Sequence, residues 1–242
     1  NGKKEGLETE WNKFGKKLRE THYQNGKKNG LETIWNNLSD DPLKKERETH
    51  YKTGKKDGLE TRWDKLSGKK VSETPFKNGK EEGLGIFSFR FTTDRSQLPF
   101  KNGKIDGLAT TWYESGKKKS IVNYKNGKQE RLTTGWYESG KKEFTINYKN
   151  GKQEGLGIRW YPTGNKVGET PYKNGKADGL ATTWYESGEK LSETHYKNGK
   201  LEGLTTLWFE NGKKRIEIPY KNGQKDGLET GWYENGRKKF SH

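Results

Sequence analysis

The chain has 242 residues and a formal net charge of +16, with 26% hydrophobic and 34% charged residues. Ordinary globular domains carry about 45–50% apolar residues, so the composition argues against a conventional compact core. The absence of cysteine excludes disulfides, thiolate catalysis and cysteine-bound zinc. Aromatic residues make up 12% of the chain, which argues against disorder because disordered segments are poor in them. We therefore expect a thin fold that buries a little apolar surface many times.

Residues 1–100 carry an irregular repeat. Three copies have a leucine followed four residues later by tryptophan, at Leu7/Trp11, Leu31/Trp35 and Leu59/Trp63. The segment Asn37–Pro42 lengthens one turn. The copy at Leu84 has Ser88 where tryptophan is expected, flanked by Phe87 and Phe89. We interpret these differences as variations in turn length and packing within one architecture.

From residue 101 to 242 the repeat is regular, with a period of 24 residues. The leucines that mark it are Leu108, Leu132, Leu156, Leu180, Leu204 and Leu228; the Leu132 copy has Arg131 in place of the usual preceding glycine. A fixed period of this length is the signature of a repeat protein. We predict one continuous tandem-repeat domain over residues 1–242. Because the chain opens inside a repeat turn, at Asn1-Gly2, and has no methionine, we expect it to be part of a longer chain.

Two turn signals divide each copy. The first is Asn-Gly between lysines, which supplies the two positive-φ residues of a type I′ hairpin turn; its glycines are Gly127, Gly151, Gly175, Gly199 and Gly223. The second is Ser-Gly or Asn-Gly, as at Ser187-Gly188. Segments such as 180–185 and 191–196 lie between them and are rich in strand-forming residues. A glycine such as Gly179, directly before leucine, predicts a bulge or a positive-φ position.

These signals predict an all-β fold, an elongated single-layer antiparallel β-meander of about ten two-stranded repeats. Alternation places Leu180 and Trp184 on one face of a strand. We predict that the tryptophans and tyrosines of successive copies form one stripe and stack on their counterparts one repeat away. This stripe is the candidate binding surface, although such a stripe is more often core than a ligand site: Trp112, Trp136, Trp160, Trp184, Trp208, Trp232, Tyr124, Tyr148, Tyr172, Tyr196 and Tyr220.

The segment 148–157, Y-K-N-G-K-Q-E-G-L-G, resembles the MORN consensus of Tyr, then Gly, then Gly-x-Gly. Most copies have Glu, Ala or Thr at the last glycine and a tryptophan four residues after leucine, which is more similar to the bacterial MORN-2 variant of YwqK-type proteins. The resemblance covers nearly the whole chain and implies an elongated single-layer β-sheet. MORN proteins are described as scaffolds and sometimes as lipid binders, and YwqK-type proteins are often labelled antitoxins.

No residue pattern predicts catalysis, a metal site or a cofactor. His22, His50 and His195 occupy one repeat position that asparagine or proline fills elsewhere, so we interpret them as solvent-facing fillers; His242 is terminal. Acidic residues recur before the leucine at Asp106, Glu154, Asp178, Glu202 and Asp226. We expect these acids to serve turn chemistry and cross-strand Glu–Lys pairing rather than calcium binding.

Lysine is present at both turn types, on opposite edges of the predicted sheet, and is interspersed with glutamate. The charge suits an anionic glycan or lipid, but it would equally protect the edges from association. Arginine, which phosphate recognition favours, is scarce, so we expect no specific nucleic-acid binding. No apolar run reaches the length of a transmembrane segment.

The sequence therefore favours a non-enzymatic repeat scaffold that is exported or located at the cell surface. It would present an extended β surface to protein or polymer partners, or to like subunits joined end to end. The alternative is a cytoplasmic YwqK-type antitoxin that binds a toxin. A third hypothesis is peripheral binding to anionic lipid.

Overall fold

The computed structural model describes residues 2–36, 44–88 and 94–241. The insertion Asn37–Pro42, together with Phe89 and His242, lies outside these residues. The described residues form antiparallel β-strands joined by turns, which confirms the predicted all-β class and the tandem two-stranded repeat. Among them there is no helix that is long and apolar enough to cross a membrane.

The chain divides into two compact units, each of which makes most of its residue contacts within itself. The first unit is formed by residues 1–116 and 124–127. Its strands are β1 (Gly6–Trp11), β2 (Lys17–Gln24), β3 (Lys27–Trp35), β4 (Lys45–Lys52), β5 (Lys55–Trp63), β6 (Lys70–Lys77), β7 (Lys80–Glu81), β8 (Gly83–Ser88), β9 (Arg95–Lys101), β10 (Lys104–Ile105) and β11 (Gly107–Trp112). The long strands pair antiparallel in sequence order, and the short strands β7 and β10 share a partner with β8 and β11.

The second unit comprises residues 117–123 and 128–242. It contains most of β12 (Lys118–Lys125) and follows the same order of pairing. Its other strands are β13 (Lys128–Gln129), β14 (Arg131–Trp136), β15 (Lys142–Lys149), β16 (Lys152–Gln153), β17 (Gly155–Trp160), β18 (Lys166–Lys173), β19 (Lys176–Ala177), β20 (Gly179–Trp184), β21 (Lys190–Lys197), β22 (Lys200–Trp208), β23 (Lys214–Lys221), β24 (Gln224–Lys225), β25 (Thr230–Trp232) and β26 (Lys238–Ser241).

The Asn-Gly turns have the predicted geometry. Asn174 and Gly175 have φ angles of 52° and 83°, so both central residues have the positive φ that a type I′ turn requires. The prediction for the glycine before leucine is also confirmed, because Gly179 has φ 119°. At this bulge β19 ends and β20 begins, although both pair with β18. Each copy is therefore a hairpin whose first strand starts earlier than predicted and is broken by one bulge.

Successive repeats are joined at these turns by a pair of hydrogen bonds. The amide of Asn198 donates to Oδ2 of Asp178 in the preceding copy at 2.9 Å, and the amide of Gly199 donates to the carbonyl of Ala177 at 2.8 Å. The carboxylate contact recurs between Asn25 and Glu5, Asn78 and Asp57, Asn102 and Glu82, Asn126 and Asp106, Asn150 and Glu130, Asn174 and Glu154, and Asn222 and Glu202.

This turn contact corrects one expectation from the sequence. The acidic residue before the glycine does serve turn chemistry, as predicted, but its carboxylate accepts a backbone N–H of the next repeat instead of forming the expected cross-strand pair with lysine. In one copy the acceptor is an amide, since Asn29 Oδ1 accepts the N–H of Thr53 at 3.2 Å. The position therefore requires a side chain with an accepting oxygen, which aspartate, glutamate or asparagine provides.

The sheet buries little apolar surface. Among the described residues the only buried hydrophobic side chains are Ala109 and Ala181, whereas the most buried larger side chains are Glu32, Thr21 and Thr49. A sheet of this kind depends on its backbone ladder, its half-buried aromatic rings and contacts between adjacent repeats. Its stability should therefore be a sum of nearest-neighbour contributions.

Replacing Arg131 by glycine should stabilise the chain by about 1 kcal/mol. Arg131 occupies the bulge position with φ 63°, and a positive φ costs a non-glycine residue about 1–2 kcal/mol. Urea-induced unfolding followed by tryptophan fluorescence would measure the change. Gly155→Arg is the matched control, since Gly155 has φ 78° at the same position of the next copy; it should be destabilising by a similar amount. Equal stability of all three proteins would contradict the assignment.

Replacing Asp178 by alanine should cost about 1 kcal/mol, because the N–H of Asn198 loses its acceptor. Asp178→Asn should cost less than half as much, since an amide oxygen accepts the equivalent hydrogen bond at Asn29. Thermal unfolding of the two variants provides the comparison. If asparagine proves as destabilising as alanine, the turn contact does not provide the stabilisation.

Candidate functional site

The strand register separates the candidate tryptophans and tyrosines onto two faces. Leu180 pairs with His195 and Trp184 with Lys190, and directly paired side chains of an antiparallel sheet point to the same side. We call this side, with Thr182, Glu193 and the equivalent residues of other copies, the tryptophan face. The predicted single stripe is therefore wrong, because the tyrosines lie on the opposite side.

The tyrosine face is defined by Tyr196, which pairs with Gly179, and by Ala181 and Thr183 on the same side. Its tyrosine covers a small residue: a Cβ placed on Gly157 would lie 2.9 Å from Cε2 of Tyr172. The equivalent Ala181 is buried. The repeat tyrosines thus pack over small residues and hold adjacent strands together.

Tryptophans of successive repeats are linked through lysine rather than by the predicted direct stacking. Lys190 pairs with Trp184, and its Nζ lies 5.2 Å from the ring centroid of Trp208. The same ammonium group bonds Glu193 at 2.5 Å. The lysine–tryptophan contact recurs from Lys17 to Trp35, Lys45 to Trp63, Lys142 to Trp160, Lys166 to Trp184 and Lys214 to Trp232. Each is a cation–π contact, supported in most copies by a carboxylate.

A row of exposed leucines runs along the tryptophan face. In the second unit, four of them keep 39–44% of their surface accessible: Leu132, Leu156, Leu180 and Leu204. Beside them lie imidazole, amide or proline side chains, because Leu156 pairs with Pro171 and Leu180 with His195. The leucines defined the repeat period in the sequence analysis, but they were not included in the predicted binding surface. Their alternation onto the same side of the strand as tryptophan could have predicted that they belong to it.

The three repeated histidines take part in the sheet. Nδ1 of His22 lies 3.1 Å from the carbonyl oxygen of Leu31, and Nδ1 of His50 lies 3.0 Å from that of Leu59. Asn123 donates its side-chain amide to the carbonyl of Leu132 in the same way. Histidine and asparagine are interchangeable here because both place a nitrogen against the leucine carbonyl.

Further tyrosines, outside the predicted stripe, connect the second type of turn to the next copy. The hydroxyl of Tyr185 donates to the carbonyl of Trp208 at 2.8 Å. Tyr137 and Tyr161 make the same contact with Trp160 and Trp184. These tyrosines directly follow the repeat tryptophan, and sequence reasoning assigned them no role.

The gap in the tryptophan series at Ser88 leaves a cleft of about 420 Å³. Ser88 and Trp112 both pair with Arg95, from opposite sides. Gln97 and Glu114 also line the cleft. Here serine, arginine and glutamine replace the tryptophan, lysine and glutamate of other copies.

On the tyrosine face of the first unit, a charged cluster replaces the small buried residue. Glu32 is almost fully buried and bonds Lys28, with Arg47 at 3.4 Å. The hydroxyls of Thr21 and Tyr51 lie 3.4 Å from its carboxylate. Burial opposes ionisation of Glu32, but the Lys28 ammonium and the nearby guanidinium groups hold the pKa of this carboxyl below its ordinary value.

A sequence rule underlies this cluster. Copies with glutamate at this position have lysine four residues earlier, as in Lys4/Glu8, Lys28/Glu32, Lys56/Glu60 and Lys225/Glu229, and all four pairs form ion pairs. The other copies combine a small residue with an uncharged or acidic partner, as in Ala177/Ala181. The two positions thus change together because a buried carboxylate needs a compensating charge.

Replacing Lys28 by alanine should destabilise the chain by roughly 3 kcal/mol, because it leaves the buried carboxylate without its main partner. The double variant Lys28→Ala and Glu32→Ala has the same two residues as the Ala177/Ala181 copy. It should recover most of the lost stability. Because the pKa of Glu32 is lowered, its contribution is complete above the ordinary glutamate pKa of about 4.3 and disappears as the pH falls through the lowered value.

Urea denaturation at neutral and acid pH measures both effects. The double variant should lose less stability than the wild type on acidification, since it lacks this carboxylate. Should the single and double variants prove equally unstable, the ion pair would not be the compensating interaction.

The MORN repeat variant matches six segments of the chain, residues 4–25, 105–126, 132–150, 153–174, 177–198 and 201–222, which together cover more than half of it. No curated protein sequence matches the chain. Among solved structures, alternansucrase in complex with isomaltononaose is 18% identical and is matched over 95% of this chain. This chain spans 20% of that protein, with a TM-score of 0.22, which is too low to support any argument. The repeated hairpins and the six matched segments show that the chain belongs to the MORN repeat variant family, as the resemblance predicted.

Proposed function

We propose that the chain is a non-catalytic binding scaffold whose tryptophan face holds a protein partner across several repeats. The observation that carries the proposal is the row of half-exposed leucines on that face of the second unit, one in each copy from Leu132 to Leu204. Large apolar side chains that are exposed together on one face mark interaction sites in soluble proteins.

The neighbours of the leucines suit an interface. Leu156 and Leu204 pair with Pro171 and Pro219, so rigid apolar side chains widen the row. Toward the other end of the strands lie the tryptophan–lysine–glutamate groups, in which Lys190 bonds Glu193. An apolar strip with a charged rim is the arrangement found in protein–protein interfaces.

The even distribution of side chains supports binding rather than catalysis. A catalytic site gathers a nucleophile, a base and charge-stabilising groups at one point. In this chain each copy presents nearly the same set at the same positions, which suits a partner that contacts several repeats and gains affinity from each.

The more specific hypotheses remain predictions. Export to the cell surface and neutralisation of a toxin follow from composition and family resemblance, and both are compatible with a partner on the tryptophan face. End-to-end association with like subunits and binding to anionic lipid would use other parts of the sheet.

Photo-crosslinking at Leu156 would test the proposal. The chain with benzoylphenylalanine at this position would be expressed in the cells that naturally produce it. Irradiation should then yield a discrete adduct with a partner protein. Replacing Leu132 and Leu180 by serine should reduce the adduct at least tenfold and lower the melting temperature by only a few degrees, because both side chains are half-exposed.

The control is the same probe at Arg159. This residue lies on the tyrosine face, because it follows Gly157 by two residues in the same strand. It should give no such adduct. Equal adducts from both faces, or an adduct at Leu156 that is insensitive to the serine substitutions, would overturn the proposal.

A further inference from the structure

Paired lysines flank the Asn-Gly turns of the second unit. Lys149 lies directly opposite Lys152, and the same arrangement joins Lys173 to Lys176 and Lys197 to Lys200. Like charges directly opposite in an antiparallel pair are destabilising. Their recurrence in successive hairpins therefore needs an explanation other than stability. We call these six residues, with Lys128 and Lys221 at the adjoining turns, the lysine edge.

The lysine edge is a row of adjacent turns. A Cβ placed on Gly175 would lie 3.6 Å from Cβ of Lys152, and one on Gly199 would lie 3.4 Å from Cβ of Lys176. Each turn thus rests on a lysine of the preceding copy. Successive turns are two strands apart, which places the lysine pairs about 10 Å apart along the edge.

The lysine edge carries more positive than negative charge. The carboxylate of each turn is held on a backbone N–H, since Glu154 accepts the N–H of Asn174 and Asp178 that of Asn198, so each pair of lysines is accompanied by a single negative charge. Within residues 94–241, the eight lysines of the edge form no salt bridge. Their positive potential is therefore available to a partner.

Lysines at the other end of the strands behave differently. Lys166, Lys190 and Lys214 each bond the glutamate three residues later, at 2.5–2.8 Å, and each lies over a tryptophan ring. The sequence predicted lysine on both edges of the sheet, interspersed with glutamate. In the second unit, the lysines that lie directly opposite another lysine are those of the Asn-Gly turns.

We propose that the lysine edge binds a linear acidic polysaccharide that runs along successive turns. A single row of charges suits a chain better than the plane of a membrane. Lysine offers point charges that tolerate carboxylate or sulfate groups in varied orientations, unlike the bidentate fork of arginine. Single-stranded nucleic acids usually stack their bases on aromatic rings, but the tryptophans lie about 20 Å away at the far end of the strands.

The test is binding of fluorescein-labelled dextran sulfate, followed by anisotropy over a range of salt concentrations. Wild type should bind at low salt and weaken as salt rises, because exposed charges are screened. Replacing Lys149, Lys152, Lys173 and Lys176 by glutamine should weaken binding at least tenfold. The melting temperature of this variant should not fall, since the substitutions remove unfavourable like-charge pairs.

The matched control replaces Lys141, Lys142, Lys213 and Lys214 by glutamine, which removes the same charge from the opposite edge. It should weaken binding less than threefold. Equal losses in both variants would show that only net charge matters and would overturn the proposal. Tighter wild-type binding to phosphatidylserine vesicles or to oligothymidylate, at equal anion concentration, would also overturn it. Crosslinking at Leu156 is a separate measurement, so the binding scaffold on the tryptophan face can fail or succeed independently.

Discussion

The structure depends on a contact between each Asn-Gly turn and the copy before it. The turn presents two backbone N–H groups, from residues such as Asn198 and Gly199, and the preceding copy supplies a carboxylate from Asp178 and the carbonyl of Ala177. A turn at the edge of a sheet would otherwise leave these donors to water. Because the positive-φ turn aims both donors at the same neighbour, the turn geometry and the spacing of the repeats determine each other.

This contact explains how a chain with so little apolar content folds. Ala109 and Ala181 are its only buried hydrophobic residues among those described, and threonine and glutamate occupy other buried positions. Half-buried rings and hydrogen bonds between neighbours replace the core. Glu32 shows the cost of this arrangement, since a buried carboxylate is tolerated only where Lys28 and Arg47 surround it. Charge compensation is local to a copy, so each repeat can vary without disturbing distant ones.

Much of this was readable from the sequence. The period, the two turns, the bulge at Gly179 and the antiparallel hairpins follow from local chemistry, because Asn-Gly and Gly-Leu restrict the backbone wherever they occur. The family resemblance came from the same residues. The faces were harder to predict: alternation relates Trp184 to Leu180 within one strand, but the relation to Tyr196 depends on the register across the turn. The bulge at Leu191 is part of that register, and no local signal revealed it.

The hydrogen bonds that the Asn-Gly turns make with the preceding copy have a direction. In each of these contacts the later repeat donates and the earlier repeat accepts, as when Asn174 donates to Glu154 and Asn150 to Glu130. During synthesis on the ribosome, the carboxylate and the carbonyl of the preceding copy would therefore already be in place when the next Asn-Gly turn emerges. Growth of the sheet would proceed vectorially, with each completed copy serving as a template for its successor.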